Sequence, residues 1–223
     1  MSRCPARTCD REEALAPRRD DVALLAALLD AHEGFRLEVV AEAERLIGAF
    51  GGLASLAGAD AAALSRAGMA APAAADLLRA RALAEVMARA EACRRPVLSS
   101  WSALTAYLRV ALAHAPREQF RVLYLDKRNI LMREEHRADG TVDHAPVYVR
   151  EVLRRALELS ASALILVHNH PSGDPAPSRA DIEMTRKIVD AAQVFDIQVH
   201  DHVVVGREGV RSFRAMGLMP FPP

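Results

Sequence analysis

The stretch of sequence that decides the fold reads Ala163-Leu164-Ile165-Leu166-Val167-His168-Asn169-His170-Pro171-Ser172-Gly173. Its first five residues are all apolar, which is typical of a strand that is buried on both faces. Such a strand lies inside a sheet that is covered by helices on both sides. Pro171 and Gly173 predict that a loop follows directly after the strand.

Two histidines, His168 and His170, stand two positions apart where this strand ends. Side chains at positions i and i+2 of a strand project from the same face, so the ring nitrogens can converge on one ion. Asp181 follows after the loop and could add a carboxylate. Imidazoles and a carboxylate are ligands of the zinc type, and three protein ligands leave a fourth position for water, as in catalytic sites.

The same residues allow a purely structural interpretation. Ser178 and Asp181 have the spacing of a capping box at the start of a helix, where the helix dipole also favours aspartate. The two histidines could likewise be loop residues that are held by hydrogen bonds. The combination of two histidines, a loop with proline and glycine, a serine and an aspartate after a buried strand favours the metal site.

The sequence on either side of this motif predicts a mixed sheet flanked by helices. Together with the motif strand, the elements follow the order β-β-α-β-α-β after one leading helix, which defines an α/β fold. The other predicted elements are a helix over 99–113, strands over 120–125 and 130–135, helices over 147–159 and 179–195, and a strand over 197–205.

The N-terminal part of the chain has a different character. Residues 1–19 are polar and aperiodic, which predicts a mobile tail. Residues 20–95 are rich in alanine and leucine at helical spacing, which predicts an all-helical module that precedes the α/β domain at 99–223. Three apolar stripes are expected to face the core of the module: Val22, Leu25, Ala26 and Leu29; Val39, Ala43, Leu46 and Ile47; and Leu77, Leu78, Leu83, Val86 and Met87.

The composition excludes several classes of protein. The 223 residues include 29 Lys and Arg and 29 Asp and Glu, so the chain lacks the large basic field of a protein that coats nucleic acid. No window approaches the ~18 consecutive apolar residues that indicate a membrane span. The three cysteines, Cys4, Cys9 and Cys93, are too few for a disulfide framework, and the charged N-terminus is unlike a secretory signal. We therefore expect a cytoplasmic protein.

A family resemblance can be read from the spacing of the motif. His-x-His, seven residues, serine, two residues and aspartate match the JAMM motif of MPN-type metalloproteases, with His168, His170, Ser178 and Asp181 in its four places. The region 120–206 resembles the RadC-like bacterial family in particular. The segments that carry this resemblance are Val122-Leu123-Tyr124-Leu125-Asp126, Gly140-Thr141-Val142, Ala161-Ser162-Ala163-Leu164-Ile165-Leu166, His168-Asn169-His170-Pro171-Ser172-Gly173-Asp174-Pro175 and Asp201-His202-Val203-Val204-Val205-Gly206.

The resemblance implies an MPN fold and one zinc ion, Zn2+, per chain, held by His168, His170 and Asp181. It implies zinc-dependent hydrolysis of a peptide or isopeptide bond, an activity that is presumed for this bacterial branch, with a peptide or protein as substrate. A second His-x-His pair, His200 and His202, lies further along the chain. We interpret His202 as structural or as a support for the ligands, and His200 as exposed or incidental.

The mechanism of JAMM enzymes also requires a glutamate near the start of an early strand, which moves a proton from water to the leaving amine. Glu118 is the predicted base because it lies just before the strand at 120–125. Ser178 is predicted to donate a hydrogen bond to the developing oxyanion. The alternative bases are Glu134, Glu135 and Glu151.

The helical module resembles the N-terminal region of RadC-like proteins, which contains a helix-hairpin-helix segment. Residues 50–56 match the approach to that hairpin, but the hairpin itself would contain Gly-Ile-Gly and here reads Gly68-Met69-Ala70-Ala71-Pro72. One glycine is missing, and Pro72 lacks an amide that could meet a DNA phosphate. Residues 36–95 contain eight Arg against seven Asp and Glu, so the sequence argues against strong DNA binding. The alternative function is a DNA-associated repair or recombination accessory with a non-catalytic metal site.

Overall fold

The computed structural model of the protein describes residues 18–33, 38–93, 96–139 and 148–220. Most of the predicted tail and the segment Gly140-Thr141-Val142 lie outside these residues. The chain forms two compact units that divide between Arg81 and Ala82, upstream of the boundary near residue 95 that the sequence suggests. Within the described ranges, no helix has both the length and the apolar character needed to cross a membrane.

The first unit is helical, as predicted. Its core contains the two stripes that were expected from the first two helices, and Leu25 and Leu46 are almost completely buried. Gly51 ends the second helix in the left-handed conformation, with φ 71°. The helices are α1 (Arg19–Glu33), α2 (Val39–Phe50), α3 (Leu53–Gly58), α4 (Ala61–Arg66) and α5 (Ala71–Cys93), of which α5 continues into the second unit.

The third predicted stripe is wrong in its second half. Leu77 is buried in the core of the first unit, but Leu83, Val86 and Met87 are 61%, 64% and 66% exposed. The reason is that these three residues lie on the side of α5 turned away from Leu77, at about 100° of rotation per helical residue. In the second unit α5 packs through small side chains such as Ala92, so its larger apolar residues point away from the core.

The second unit contains a mixed five-stranded sheet with helices on both faces, which confirms the predicted α/β fold. The strand order is β2-β1-β3-β4-β5, and β3 and β4 are parallel whereas the other neighbours are antiparallel. The elements are a 3-10 helix (Val97–Ser100), α6 (Trp101–Leu112), β1 (Gln119–Leu125), β2 (Leu131–Asp139), α7 (Val149–Glu158), β3 (Ala163–Asn169), α8 (Arg179–Gln193), β4 (Gln198–Gly206) and β5 (Gly209–Ser212).

The short edge strand β5 was not predicted. Its sequence, Gly-Val-Arg-Ser, is only four residues long and lacks an apolar run, so no local pattern marks it. It forms because the chain turns back after Gly206 and pairs with the end of β4. The strand is therefore a product of the hairpin and not of its own residues.

Both faces of β3 are buried, as its apolar run predicts. Ile165 and Val167 face the core that includes α6, whereas Leu164 and Leu166 face the core that includes α7 and α8. Because side chains alternate along a strand, His168 continues the second set and points toward α8. The position of the first predicted ligand is thus determined by the pleat of the central strand.

The end of β4 lies against the loop that follows β3. A Cβ atom on Gly206 would lie 2.1 Å from the carbonyl oxygen of Gly173 and 3.0 Å from the nitrogen of Pro175. The loop is further tied to the β4–β5 turn, where the Glu208 amide donates to Gly173 O at 3.1 Å. No side chain can be placed at position 206 without moving this backbone.

We predict that Gly206→Ala destabilises the second unit by about 1–3 kcal/mol, the usual cost of overpacking a close contact. Thermal or urea unfolding measures the change. Gly48→Ala is the control, because Gly48 lies inside a helix with no atom within 4 Å of the added Cβ. There alanine should be neutral or stabilising by up to ~1 kcal/mol. Equal stability of the Gly206→Ala variant and the wild type would contradict the prediction.

Candidate metal centre

The two predicted histidine ligands lie at the end of the central strand. His168 belongs to β3 and is 1% exposed, and His170 follows one residue after the strand and is partly buried. Their Nε2 atoms are 2.9 Å apart. The alternation along the strand therefore brings both ring nitrogens to one point, as the i, i+2 spacing predicts.

Asp181, in the first turn of α8, completes the group. Its Oδ1 lies 3.3 Å from His168 Nε2, and its Oδ2 lies 3.5 Å from His170 Nε2. The potential ligand atoms of the three residues all lie within 4.8 Å of one another. Two imidazole nitrogens and a carboxylate are a donor set that fits a divalent cation, and zinc binds such sets readily.

The capping interpretation of Ser178 and Asp181 is also correct. The Asp181 amide donates to Ser178 Oγ at 3.1 Å, and the Ser178 amide donates to Asp181 Oδ2 at 2.7 Å, which is a complete capping box. One carboxylate thus caps α8 and faces the histidines at the same time. The two interpretations that the sequence left open are compatible, because the cap fixes the orientation in which Asp181 meets the rings.

The loop after β3 orients the second histidine. His170 Nδ1 lies 2.9 Å from the carbonyl oxygen of Asp174, which can only accept, so this nitrogen carries the proton. In the neutral ring, Nε2 is then a free lone pair directed at Asp181. Such a bond to the far nitrogen is the usual way in which proteins orient a metal-binding histidine.

The negative charge of Asp181 favours a positive charge in the site, either a proton on a histidine or a metal ion. Burial alone would raise the pKa of Asp181, but the neighbouring rings of His168 and His170 and hydrogen bonding to Ser178 hold this pKa well below its usual range. The hydrogen bond with Asp181 raises the pKa of His170, against the opposing effect of burial, and the charge of Glu118 adds to the rise. A proton on His170 and a metal ion therefore compete for the same place.

Behind His168 lies a second layer of buried polar groups. His168 Nδ1 is 2.7 Å from Nε2 of His202, a residue of β4 that is completely buried. His202 Nδ1 is 2.6 Å from the hydroxyl of Thr185, and that hydroxyl donates to the carbonyl oxygen of Asp181 at 2.6 Å. The interpretation of His202 as a structural or supporting residue agrees with this contact.

Glu118, the predicted base, lies just before β1 and is partly buried. Phe120 pairs with His168 across the antiparallel β1–β3 ladder, so continuing the register places Glu118 opposite His170. The side chain of Asn169 holds this segment. It accepts from the Gln119 amide at 2.9 Å and donates to the Arg117 carbonyl oxygen at 3.1 Å, so it binds the backbone on both sides of Glu118.

The three alternative bases have partners in other parts of the unit. Glu134 accepts a hydrogen bond from the Tyr107 hydroxyl at 2.6 Å and pairs with Arg121 at 2.9 Å. Its neighbour Glu135 pairs with Arg155 at 2.7 Å. Glu151 lies on α7, where it pairs with Arg154 at 2.9 Å. These contacts engage each carboxylate with arginine side chains.

The description of His200 as exposed is wrong. The residue is partly buried, and its Nε2 lies 2.6 Å from Oδ1 of Asn129 in the turn between β1 and β2. This contact connects the turn between β1 and β2 to strand β4. The sequence could not reveal this pair because the two residues are 71 positions apart.

Sequence reasoning missed two residues of the site, Asn169 and Thr185. Asn169 is 1% exposed and Thr185 is completely buried. A signal existed for each. Asn169 is a polar residue at the end of an otherwise apolar buried strand, and Thr185 stands four positions after Asp181, on the same face of the helix. Buried polar side chains need partners, so both positions pointed to contacts within the site.

Comparisons with known proteins agree with this geometry. Residues 98–218 match the family described as RadC-like JAB domain. A UPF0758 protein of Rhodobacter capsulatus is 51% identical over 185 residues, which cover 82% of this chain and 86% of that protein. A UPF0758 protein of Ruegeria pomeroyi is 46% identical over 203 residues, which cover 91% of this chain and 83% of that protein.

The mixed five-stranded sheet and the His-His-Asp group define a domain of the JAB/MPN class. Within that class, the chain belongs to the RadC-like family, whose relatives here bear the name UPF0758. The resemblance that was inferred from the motif is thereby confirmed. The family match extends from the 3-10 helix to six residues beyond the end of β5.

We predict that the protein binds one zinc ion per chain and that His168→Ala and His170→Ala each abolish the binding, because two of three ligands cannot hold the ion at a four-coordinate site. Elemental analysis of the purified proteins measures the metal. His200→Ala is the matched control, since this histidine lies on β4 and contacts Asn129. Equal zinc in all four proteins would refute the site.

Zinc affinity should also depend on pH. The imidazoles must be neutral to bind a metal, so affinity should fall as the pH drops toward and below ~6.5. The raised pKa of His170 means that a proton begins to compete at a higher pH than for an ordinary histidine. Competition with a chromogenic chelator from pH ~8 down to pH ~5.5, a range that includes the ordinary histidine pKa, tests this. A constant affinity over that range would contradict it.

Proposed function

We propose that the protein is a zinc-dependent metallohydrolase of the JAMM type that cleaves a peptide or isopeptide bond. The observation that supports this proposal is the convergence of two histidine nitrogens and one carboxylate near the start of β1, where Phe120 pairs with His168 two residues after Glu118. Some members of the JAB/MPN class are metalloproteases. We further expect the substrate to be a peptide or protein and the location to be the cytoplasm.

The residues that would hold the zinc are His168, His170 and Asp181, a set of three that leaves room for water. When bound in such a site, zinc lowers the pKa of water toward 7 and polarises a carbonyl group. The protein contributes an ionised Asp181 and a His170 ring whose Nε2 is directed into the site. The burial of the site also reduces the screening of these charges by solvent.

In this proposal Glu118 is the general base. Its carboxylate accepts a proton from the attacking water and then passes the proton to the leaving amine, so that the amine departs neutral. The position before β1 suits this task, because the negative charge lies near His170 without being one of the three ligands. Asn169 would keep the carboxylate in place through the backbone bonds on both of its sides.

Ser178 is the proposed donor to the oxyanion. Its Oγ accepts the amide of Asp181 in the capping box, and accepting that bond leaves the hydroxyl proton for another acceptor. The hydroxyl lies at the start of α8, where the helix dipole also favours negative charge. Capping and oxyanion stabilisation are therefore compatible roles for this side chain.

We predict that Glu118→Gln keeps the zinc and the fold but lowers hydrolysis ~100-fold or more, the usual scale of general acid–base catalysis. The amide is nearly isosteric and cannot accept the proton. The assay follows cleavage of a peptide and isopeptide library by the zinc-loaded protein. Glu151→Gln is the control, because Glu151 pairs with Arg154 on α7, and it should retain activity.

The choice of base would be wrong if Glu118→Gln remained fully active while Glu134→Gln or Glu151→Gln were inactive. Zinc content and circular dichroism of each variant separate a loss of catalysis from a loss of the site or the fold. The zinc measurement matters because Glu118 is not one of the proposed ligands. Loss of zinc from the Glu118→Gln variant would contradict the proposal that Glu118 is the base and not a ligand.

A DNA-associated accessory role is the second candidate, since the RadC-like family is associated with DNA repair. The hairpin between α4 and α5 argues against strong DNA binding. The amides of Gly68 and Met69 bond to Ser65 O and Leu64 O, and Arg45 donates to the carbonyl oxygen of Ala67. These groups stabilise the turn itself, so they are occupied before a phosphate could reach them.

We predict that the full chain binds double-stranded DNA only with non-specific affinity, ~10⁻⁴ to 10⁻⁶ M at physiological salt. The reason is the nearly balanced charge of residues 36–95 and the occupied amides of Gly68 and Met69 in the hairpin. Titration of a labelled duplex at two salt concentrations measures the affinity. Submicromolar binding with a steep salt dependence would favour the repair accessory over the hydrolase.

A further inference from the structure

We propose that His202 and Thr185 form a hydrogen-bond relay that holds His168 as the Nδ1–H tautomer and thereby presents its Nε2 lone pair to the metal site. The relay runs from the Asp181 carbonyl through the Thr185 hydroxyl and the His202 ring to His168 Nδ1. The expected effect of the relay on metal binding rests on the proposed zinc site. His202 and Thr185 are positioning residues, because they act through His168.

The hydroxyl of Thr185 determines the direction in which the hydrogen bonds of the relay donate. Its hydroxyl has one proton and lies 2.6 Å from the Asp181 carbonyl oxygen, which can only accept, and 2.6 Å from His202 Nδ1. Both contacts are hydrogen bonds only if the hydroxyl donates to the carbonyl and accepts from the ring. The proton of His202 therefore lies on Nδ1. The opposite tautomer would lose one of these two buried hydrogen bonds.

The position of the proton on His202 then determines the position of the proton on His168. His202 is completely buried, and its two ring nitrogens contact a hydroxyl and an imidazole rather than a carboxylate, so the ring is neutral and its Nε2 is an acceptor. His168 Nδ1, 2.7 Å away, must donate to it. Because a neutral imidazole carries one proton, His168 Nε2 is left as a lone pair directed at His170 and Asp181.

The relay is rigid because apolar groups enclose it. The His202 ring lies 4.6 Å from the ring of Phe213 and makes an edge contact with Phe120 at 5.9 Å, both measured between ring centroids. His202 and Thr185 are each 0% exposed. Solvent therefore cannot replace either hydrogen bond while the fold is intact. This sets His168 apart from His170, whose far nitrogen is held by a loop carbonyl.

Two substitutions at Thr185 test the relay with little change in shape. Thr185→Val removes the hydroxyl, and Thr185→Ser keeps it. We expect the zinc Kd of the full chain, measured by competition with a chromogenic chelator, to rise about 10-fold or more in the valine variant. In the serine variant it should stay within about twofold of the wild type, since serine offers the same donor and acceptor.

His202→Phe and His202→Gln form the second pair. Phenylalanine fills the aromatic environment without a ring nitrogen, whereas the glutamine oxygen can still accept from His168 Nδ1. We expect the zinc Kd to rise about 10- to 100-fold for His202→Phe and less for His202→Gln. His200→Gln, on the same strand, should bind zinc as the wild type does, because its contact is with Asn129.

The tautomer itself can be observed without metal. Nitrogen-15 chemical shifts of the imidazoles in the metal-free chain distinguish Nδ1–H from Nε2–H, and His168→Gln assigns the signals. We expect Nδ1–H for both His168 and His202, and a mixed His168 population in Thr185→Val. Nε2–H on His168 of the wild type would overturn the relay. So would unchanged zinc affinity in both Thr185→Val and His202→Phe.

These results are separate from those that test hydrolysis. A chain that binds zinc through the relay but cleaves nothing, with or without Glu118, would refute the proposed function and leave the relay intact. A wild-type chain that binds no zinc would refute the metal site, while the nitrogen-15 shifts would still decide the tautomer. Wild-type activity with an Nε2–H tautomer on His168 would refute the relay alone.

Discussion

The hydrogen bond between His168 Nδ1 and His202 Nε2 connects the two parallel strands β3 and β4 on the face that carries the candidate site. Both rings are almost completely buried, so losing the bond would leave an unsatisfied polar group at a cost of ~1–3 kcal/mol. The bond requires the registered pairing of β3 with β4 and the close packing of α8 against both. The apolar sheet and the polar site therefore stabilise each other, since neither can shift without breaking contacts in the other.

Each part of the site comes from a different element of the second unit. The central strand supplies His168 and is followed directly by His170, α8 supplies Asp181 through its capping box, and Glu118, the proposed base, lies in the segment before β1. Side chains on strands and helix starts are held more precisely than side chains in loops, which suits a site that must converge on one ion. His170 is the exception, because it lies beyond the strand. Its orientation depends on the Asp174 carbonyl and on the loop that packs against Gly206.

Asp181 combines a helix cap with a place in the candidate metal site. The backbone amide of Ser178 fixes one oxygen, and the carboxylate stays ionised beside two imidazoles. Thr185 lies one helical turn after Asp181, and its hydroxyl supports His168 through His202. One helical turn of α8 thus contributes both a candidate ligand and the support for another candidate ligand. This explains why a threonine is buried there among apolar residues.

Several features were predictable from the sequence because they depend on local patterns. The apolar run before His168 predicts a strand with two buried faces, and the i, i+2 spacing places both histidines on one face. The capping-box spacing of Ser178 and Asp181 predicts the helix start. The JAMM spacing and the family could be identified in the same way. The predictions failed where a local pattern was absent or ambiguous, as for β5 and for the second half of α5, whose apolar residues face away from the core.

Tertiary structure alone decided which polar groups meet. His202 is 34 positions from His168, Asn169 is about fifty positions from the backbone it holds beside Glu118, and His200 is 71 positions from Asn129. No periodicity connects such residues, because strand order and register determine their distance. The sequence by itself determined the type of every described element of the second unit except β5, and the chemistry of the candidate ligands, since both follow from neighbouring residues. The packing of β3, β4 and α8 determined the partners, because a buried polar group must pair with whatever the fold places beside it.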